Sequence, residues 1–131
     1  MSPPITIPVS PGELFDKKTI LEIKKQRISD IRKQVLIDHE LALLSAVARD
    51  VLARTSRAPE IEVLERKLLA VNQRLWDIEN AVRASERASR FDAAFIEAAR
   101  QVYLNNDHRA DLKYRINLLL GSPLVEVKEH L

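Results

Sequence analysis

The chain of 131 residues contains no cysteine, only two glycines and few aromatic residues. Without cysteine, neither a disulfide framework nor a thiolate zinc site can form, which favours a reducing, cytoplasmic location. Two distant glycines cannot supply the glycine-rich loops of the common phosphate-binding motifs. Apolar runs such as Leu118–Leu120 are far shorter than the roughly 20 residues that a membrane span needs. The sequence therefore predicts a soluble protein of the cell interior.

The residues that are present favour helices packed around one core. Hydrophobic residues make up 46% of the chain and charged residues 31%, a balance typical of folded proteins. The length suits a single helical domain over 1–131. The net charge is only +2, so nucleic-acid binding through the basic row Lys18, Lys25 and Arg32 is the weakest of three functional hypotheses.

The clearest helix start lies near the N-terminus. Ser10 can cap a helix, Pro11 suits its first position, and Glu13 completes a capping box. Neither proline nor glycine follows before Pro59, so the pattern predicts one helix over about 11–53. Its apolar face changes side along the way, and we therefore expect this helix to contact two different neighbours.

Three further helices are predicted along the chain. The helix over about 59–86 carries an apolar seam with alternating spacings of three and four residues. The seam consists of Ile61, Leu64, Leu68, Val71, Leu75, Ile78 and Val82. A polar stretch predicts a break between helices over about 92–105 and about 108–120, and Gly121 marks the last helix end. We expect an all-α protein in which the first two helices form a long antiparallel hairpin, two shorter helices pack beside it, and two copies form a dimeric helical bundle.

Two lysines are unexpected on the first apolar face. Lys17 and Lys24 lie on the same helical arc as Leu14 and Leu21, where an unpaired ammonium group would be costly to bury. Each lysine has to extend to water, pair with a carboxylate such as that of Glu13, or bind an anionic ligand.

A second polar group begins at Asp107. Arg109, Lys113 and Asn117 come after it and are spaced by four residues from one another, so these three share one helix face. Beside a helix N-terminus, such a row could bind phosphate or carboxylate; the alternative is an aspartate cap followed by a solvated row of ion pairs. The candidate anion-binding residues are Lys17, Lys24, Asp107, Arg109, Lys113 and Asn117.

Nothing in the sequence predicts a catalytic residue, a metal site or a cofactor. His39, His108 and His130 are far apart, and none belongs to a metal-binding pair on one helix. Paired carboxylates occur only as charges on helix surfaces. An enzymatic role is therefore disfavoured.

Several stretches resemble a small bacterial family known as a domain of unknown function. They are IPVSPGELFDKKTILEIK (7–24), VNQRLWDIE (71–79), FDAAFIEAAR (91–100) and NDHRADLK (106–113), with shorter matches at I-N, G-S and E-V-K. The resemblance extends over nearly the whole chain. It implies no established catalytic activity, although some members accompany polysaccharide-biosynthesis proteins.

The leading hypothesis is a non-enzymatic helical module for interaction or oligomerisation. It predicts a homodimer, allows another protein partner and involves no membrane. The alternative is a small anion-binding or catalytic site on the helical scaffold, which the resemblance would connect with polysaccharide biosynthesis.

Overall fold

The structure, a computed structural model, describes residues 2–129 and consists of four helices in that part of the chain. They are α1 (Pro11–Arg27), α2 (Ile31–Ala53), α3 (Ala58–Arg87) and α4 (Ala93–Leu119). The all-α prediction is confirmed. Within residues 2–129, every helix is too short or too polar to cross a membrane.

The helices are arranged around the pair α3 and α4, which has the most extensive contact. α1 packs against both of them, parallel to α3 and antiparallel to α4. The parallel direction of α1 and α3 follows from the ion pairs Lys18–Glu65 and Arg27–Asp77, because the residue numbers of the paired residues rise together along the two helices. α2 then packs on α1 and meets α3 at only a few residues. The helix predicted over 59–86 therefore finds its main partners in α4 and α1.

The helix predicted over 11–53 is divided in two at residues 28–30. Ile28 has an extended backbone, and the Asp30 side chain accepts a hydrogen bond from the Lys33 backbone N–H at 3.0 Å, which caps α2. The Gln34 side-chain amide donates to the backbone carbonyls of Lys25 and Ile28 at the end of α1. Side-chain capping at both helix ends replaces the lost helical bonds, so the chain reverses without proline or glycine.

The break predicted between 105 and 108 is absent, because α4 continues through the polar stretch. Asn105 donates to the backbone carbonyl of Gln101 one turn earlier at 2.8 Å and accepts a bond from Arg74 of α3. Asn106 lies within hydrogen-bond distance of Arg109. These side chains are bonded in ways that leave the helical backbone intact, so none of them caps a new helix.

Other local predictions are confirmed. Ser10 caps α1 by accepting a bond from the Glu13 backbone N–H, and Pro11 is the first helical residue. Gly121 follows α4 with a φ of 60°, the left-handed conformation that glycine adopts without strain. The first five positions of the α3 seam, Ile61 to Leu75, are buried.

The central core joins all four helices. It consists of Leu14, Phe15, Ala48, Ile61, Leu64, Leu68, Val71, Leu112 and Ile116. Phe15 and Ile61 are fully buried. The core therefore lies toward the start of α1 and α3 and the end of α4, next to the polar networks described below.

Replacing Phe15 by alanine is expected to lower the free energy of unfolding by about 3–5 kcal/mol, because a fully buried ring would leave a cavity. Chemical denaturation measures this. Phe91→Ala is the matched control: Phe91 is 56% exposed and contacts Phe95 edge to face, so its loss should cost no more than about 1 kcal/mol. Equal losses for both variants would contradict the placement of α1 in the core.

Candidate functional site

A buried polar group surrounds the carboxylate of Asp16 on α1, which is 2% exposed. Arg109 of α4 donates to it twice, with Nε to Oδ1 at 2.8 Å and Nη2 to Oδ2. Asn72 of α3 donates from Nδ2 to the same Oδ1 at 3.0 Å and to Thr19 Oγ1 at 3.0 Å. Thr19 in turn donates to the backbone carbonyl of Asp16. We call these four residues the Asp16 network.

The Asp16 network satisfies a buried charge by direct pairing. A two-bond contact between guanidinium and carboxylate is a strong and directional form of ion pair. The hydrogen bonds to Asp16 raise the pKa of the Arg109 guanidinium further above its ordinary value, although burial acts in the opposite direction. Arg109 therefore keeps its positive charge in the folded protein, directly against the carboxylate of Asp16.

A second buried group, the Lys113 network, connects α1, α4 and the C-terminal segment. The Lys113 ammonium group contacts Glu13 Oε1 at 2.6 Å and Glu126 Oε2 at 2.9 Å. One turn further along α4, the Asn117 side-chain oxygen accepts a bond from the Gly12 backbone N–H at 2.7 Å. A Cβ atom on Gly12 would lie 2.5 Å from the Lys113 carbonyl oxygen, so only glycine permits this close approach of α1 and α4.

The charge of Lys113 is retained by its two carboxylates. Burial alone would lower the pKa of Lys113, but the hydrogen bonds that Lys113 donates to Glu13 and Glu126 outweigh burial and raise that pKa above its ordinary value. Glu126 reaches Lys113 because the segment after Gly121 runs back along α4. An ion pair between Lys128 and Asp107 at 3.1 Å extends this contact toward the middle of the helix.

The structure brings together three of the six candidate residues. Arg109, Lys113 and Asn117 follow one another along the buried side of α4 and bond to α1. Asp107 does not cap a helix; its side chain is 63% exposed and pairs with Lys128.

The two lysines of the first apolar face lie apart from this group. The Lys17 side chain is 60% exposed and pairs with Glu40 of α2 at 3.0 Å, not with Glu13. Lys24 lies two turns further along α1 and is half-buried. Lys17 is therefore directed toward α2 and water and contributes nothing to the Asp16 or Lys113 networks.

Sequence reasoning missed Asp16, Thr19 and Asn72. The signal was present in the spacing, because Gly12, Asp16 and Thr19 precede the buried Ile23 at steps of four, three and four. These residues form one stripe that contains polar groups where a core stripe is apolar. Asn72 is the residue after Val71 of the α3 seam. Its side chain faces the stripe on α1, where it donates to Asp16.

An open cavity of about 470 Å³ borders the Asp16 network. Apolar side chains line part of it, including Trp76, and the polar part includes Asn80, Arg83 and Arg109. Among residues 2–129, no group of three or more histidine, aspartate or glutamate side chains could hold a metal ion. His130, the third histidine considered above, lies outside the described residues.

In the basic row considered for nucleic acid, two of the three cations are paired with neighbouring carboxylates. Lys18 pairs with Glu22 and Glu65, and Lys25 pairs with Asp38 at 3.1 Å. The break at 28–30 places Arg32 on α2, so the three cations do not continue along one straight helix.

No family model, curated protein or solved structure matches this chain. The resemblance of its short stretches to a bacterial family stays a prediction. The contacts of the Asp16 network join three helices, and its cation, Arg109, is paired with Asp16. Both features are expected of a structural element.

We expect the Asp16–Arg109 pair to be strongly coupled. Asp16→Ala should lower the free energy of unfolding by about 3 kcal/mol or more, because the half-buried guanidinium of Arg109 loses its partner. Arg109→Ala should cost a similar amount, and the double variant should cost on the order of 2 kcal/mol less than the sum of the two. Urea denaturation of all four proteins gives this difference.

The matched control is Asp107, which lies on the same helix as Arg109 and pairs through an exposed side chain with Lys128 of the C-terminal segment. Asp107→Ala should change stability by less than about 1 kcal/mol, because water replaces an exposed partner. Additive losses for Asp16 and Arg109 would show that the two groups do not depend on each other.

Proposed function

We propose that the protein is a non-enzymatic interaction module whose binding surface is the outer side of α2. The observation that carries this proposal is the exposure of five large apolar side chains on one helix. They are Ile31 (80%), Val35 (64%), Leu36 (71%), Leu43 (47%) and Val47 (50%). Exposed apolar surface of this extent on one helix is typical of an interaction site.

The opposite side of α2 is also apolar, which strengthens the argument. Ile37 and Ala48 are buried on that side, and Leu44 and Val51 pack against the core. A helix that is apolar on both sides is typical of a position between two neighbours. Residues 2–129 supply only the inner neighbour, so a second surface is expected on the outer side.

The polar networks support a structural role for the rest of the molecule. Among residues 2–129, every buried side-chain nitrogen and oxygen atom has a hydrogen-bond partner. The cations Arg109 and Lys113 are paired with carboxylates from α1 and the C-terminal segment. Networks satisfied in this way hold helices in register and leave little unbalanced charge for a substrate.

The proposal predicts that α2 is covered by another protein surface in the cell. A photo-crosslinking amino acid in place of Leu43 should form covalent adducts with protein in the protein's own cells. The same amino acid in place of Arg66, on an exposed position of α3, is the matched control and should form few adducts. Adducts are separated by mass and identified by peptide sequencing. Failure of position 43 to form adducts, both in cells and at high concentration of the purified protein, would contradict the proposal.

The open cavity beside Arg109 favours a second candidate function, the binding of a small anion. Arg83 lines this cavity, and its side chain is 73% exposed, with Glu79 no closer than 3.7 Å. Its guanidinium is therefore accessible, whereas that of Arg109 is occupied by Asp16. Asn80 and Trp76 line the same cavity and could contact the remainder of a ligand.

This second candidate predicts that inorganic phosphate or citrate binds in the cavity with measurable affinity. Arg83→Ala should weaken binding roughly tenfold, because one charge-assisted hydrogen bond is lost. Arg87→Ala, one turn further along α3 and exposed, is the control and should leave the affinity unchanged. Calorimetric titration and the chemical shift of the Trp76 indole N–H measure this. The absence of binding by both anions at millimolar concentration would contradict it.

A further inference from the structure

Six positions on the outer side of α2 form a continuous line, which we call the α2 seam. They are Arg32, Leu36, His39, Leu43, Ala46 and Asp50, and all six are exposed. Successive positions are separated by 4, 3, 4, 3 and 4 residues. This alternation keeps side chains in line along the contact between two packed helices. The α2 seam thus has the spacing that a second helix requires.

The two ends of the α2 seam carry opposite charges. Arg32 and Asp50 are separated by 18 residues, which is about five helical turns and about 27 Å. Both side chains therefore leave the helix in nearly the same direction. An identical helix in antiparallel orientation would place Arg32 opposite Asp50 of the partner subunit at one end and repeat this pair at the other. A parallel copy would place like charges opposite each other.

The interior of the seam fits the same antiparallel register. Leu36 would lie at the level of Ala46 of the partner subunit, a large side chain against a small one, which allows close packing. His39 would lie at the level of Leu43 of the partner subunit. Val35 and Val47 border the line and are half exposed or more, so they would add apolar area on either side.

The charged residues next to the α2 seam do not block antiparallel packing of a second copy. Asp50 accepts a hydrogen bond from Arg54 at 3.1 Å, but both side chains are exposed, so this contact can yield or be shared. Glu40 lies beside the seam, and its carboxylate pairs with Lys17 of α1. That ion pair draws the Glu40 side chain toward α1 and away from the seam.

We infer that the partner bound by α2 is a second copy of this chain, packed antiparallel along the α2 seam with an Arg32–Asp50 ion pair at each end. This inference rests on the proposed function, because it names the occupant of the surface already assigned to interaction. Apolar area supplies the attraction, whereas the charge pairs select the orientation and exclude the parallel alternative.

Charge reversal in the full-length chain tests the inference. The dissociation constant of the dimer is measured by sedimentation equilibrium for the wild type, Arg32→Asp, Asp50→Arg and the double reversal. Each single reversal replaces two attractive contacts by two repulsive ones and should weaken the dimer by roughly tenfold or more at low salt. The double reversal restores opposite charges at both ends and should return the affinity to near the wild-type value. Arg66→Asp on α3 controls for net charge.

The outcomes separate the two orientations. In a parallel dimer, a single reversal exchanges one like-charge contact for another and leaves the affinity nearly unchanged. Single reversals without effect, or a double reversal that fails to restore the dimer, would overturn the antiparallel register. Circular dichroism of each variant tests whether the exposed substitution leaves the fold intact.

Introduced cysteines provide an independent test, because the natural chain has none. Leu36 and Ala46 are ten residues apart, about 15 Å along one helix, so they cannot form a disulfide within a chain. The antiparallel register predicts crosslinked dimers for the double variant L36C/A46C and few for L36C or A46C alone. Efficient crosslinking of L36C alone would indicate parallel helices and overturn the inference.

Failure of this inference can be distinguished from failure of the proposed function. A purified chain that stays monomeric, together with crosslinking from position 43 to a different protein in cells, would overturn self-association and leave the interaction role in place. The absence of any adduct at position 43 would overturn both.

Discussion

The fold depends on one buried carboxylate, that of Asp16, and on the partners that it holds. A charged group at this depth is stable only if it is paired and its remaining oxygen positions accept hydrogen bonds. Arg109 supplies the charge from α4, and Asn72 supplies a further donor from α3. Three helices are therefore fixed at one point. Apolar stripes alone tolerate sliding by a turn, whereas this network is satisfied in a single register.

The close contact between α1 and α4 extends this constraint toward the start of α1. Gly12 allows the two backbones to meet, and its N–H donates to Asn117. Lys113 then pairs with both Glu13 and Glu126, and this attaches the C-terminal segment to the contact between α1 and α4. Two of the positive charges that suggest an anion site in the sequence, those of Arg109 and Lys113, thus hold parts of the protein together. Their partners lie elsewhere in the chain, and this pairing explains why a row of cations on one helix is a weak indicator of a ligand.

Most of what the sequence predicted correctly depends on local rules, and most of what it missed depends on side chains that come together from other parts of the chain. Ser10 and Gly121 were identified because capping needs only neighbouring residues. The division at Asp30 was missed because it depends on the Gln34 side chain capping the end of the preceding helix. Lys17 follows one of the options left open for it, since it pairs with a carboxylate, but its partner Glu40 lies on α2, and one long helix over 11–53 predicts no such contact. Asp16 could have been recognised as a polar position in a buried stripe, but its pairing with Arg109 joins residues 93 positions apart.

The same combination of apolar attraction and selective ion pairing accounts for the interior of the molecule and for the surface proposed to bind a second copy. In the interior, apolar side chains provide the attraction and the Asp16–Arg109 pair selects the register. On the outer side of α2, Leu36 and Leu43 could pack on a helix of either direction, because apolar contact carries no polarity. Arg32 and Asp50 make the two directions unequal in energy. Since such exposed pairs contribute little attraction of their own, their effect is to determine orientation, and the apolar area of α2 must supply the affinity.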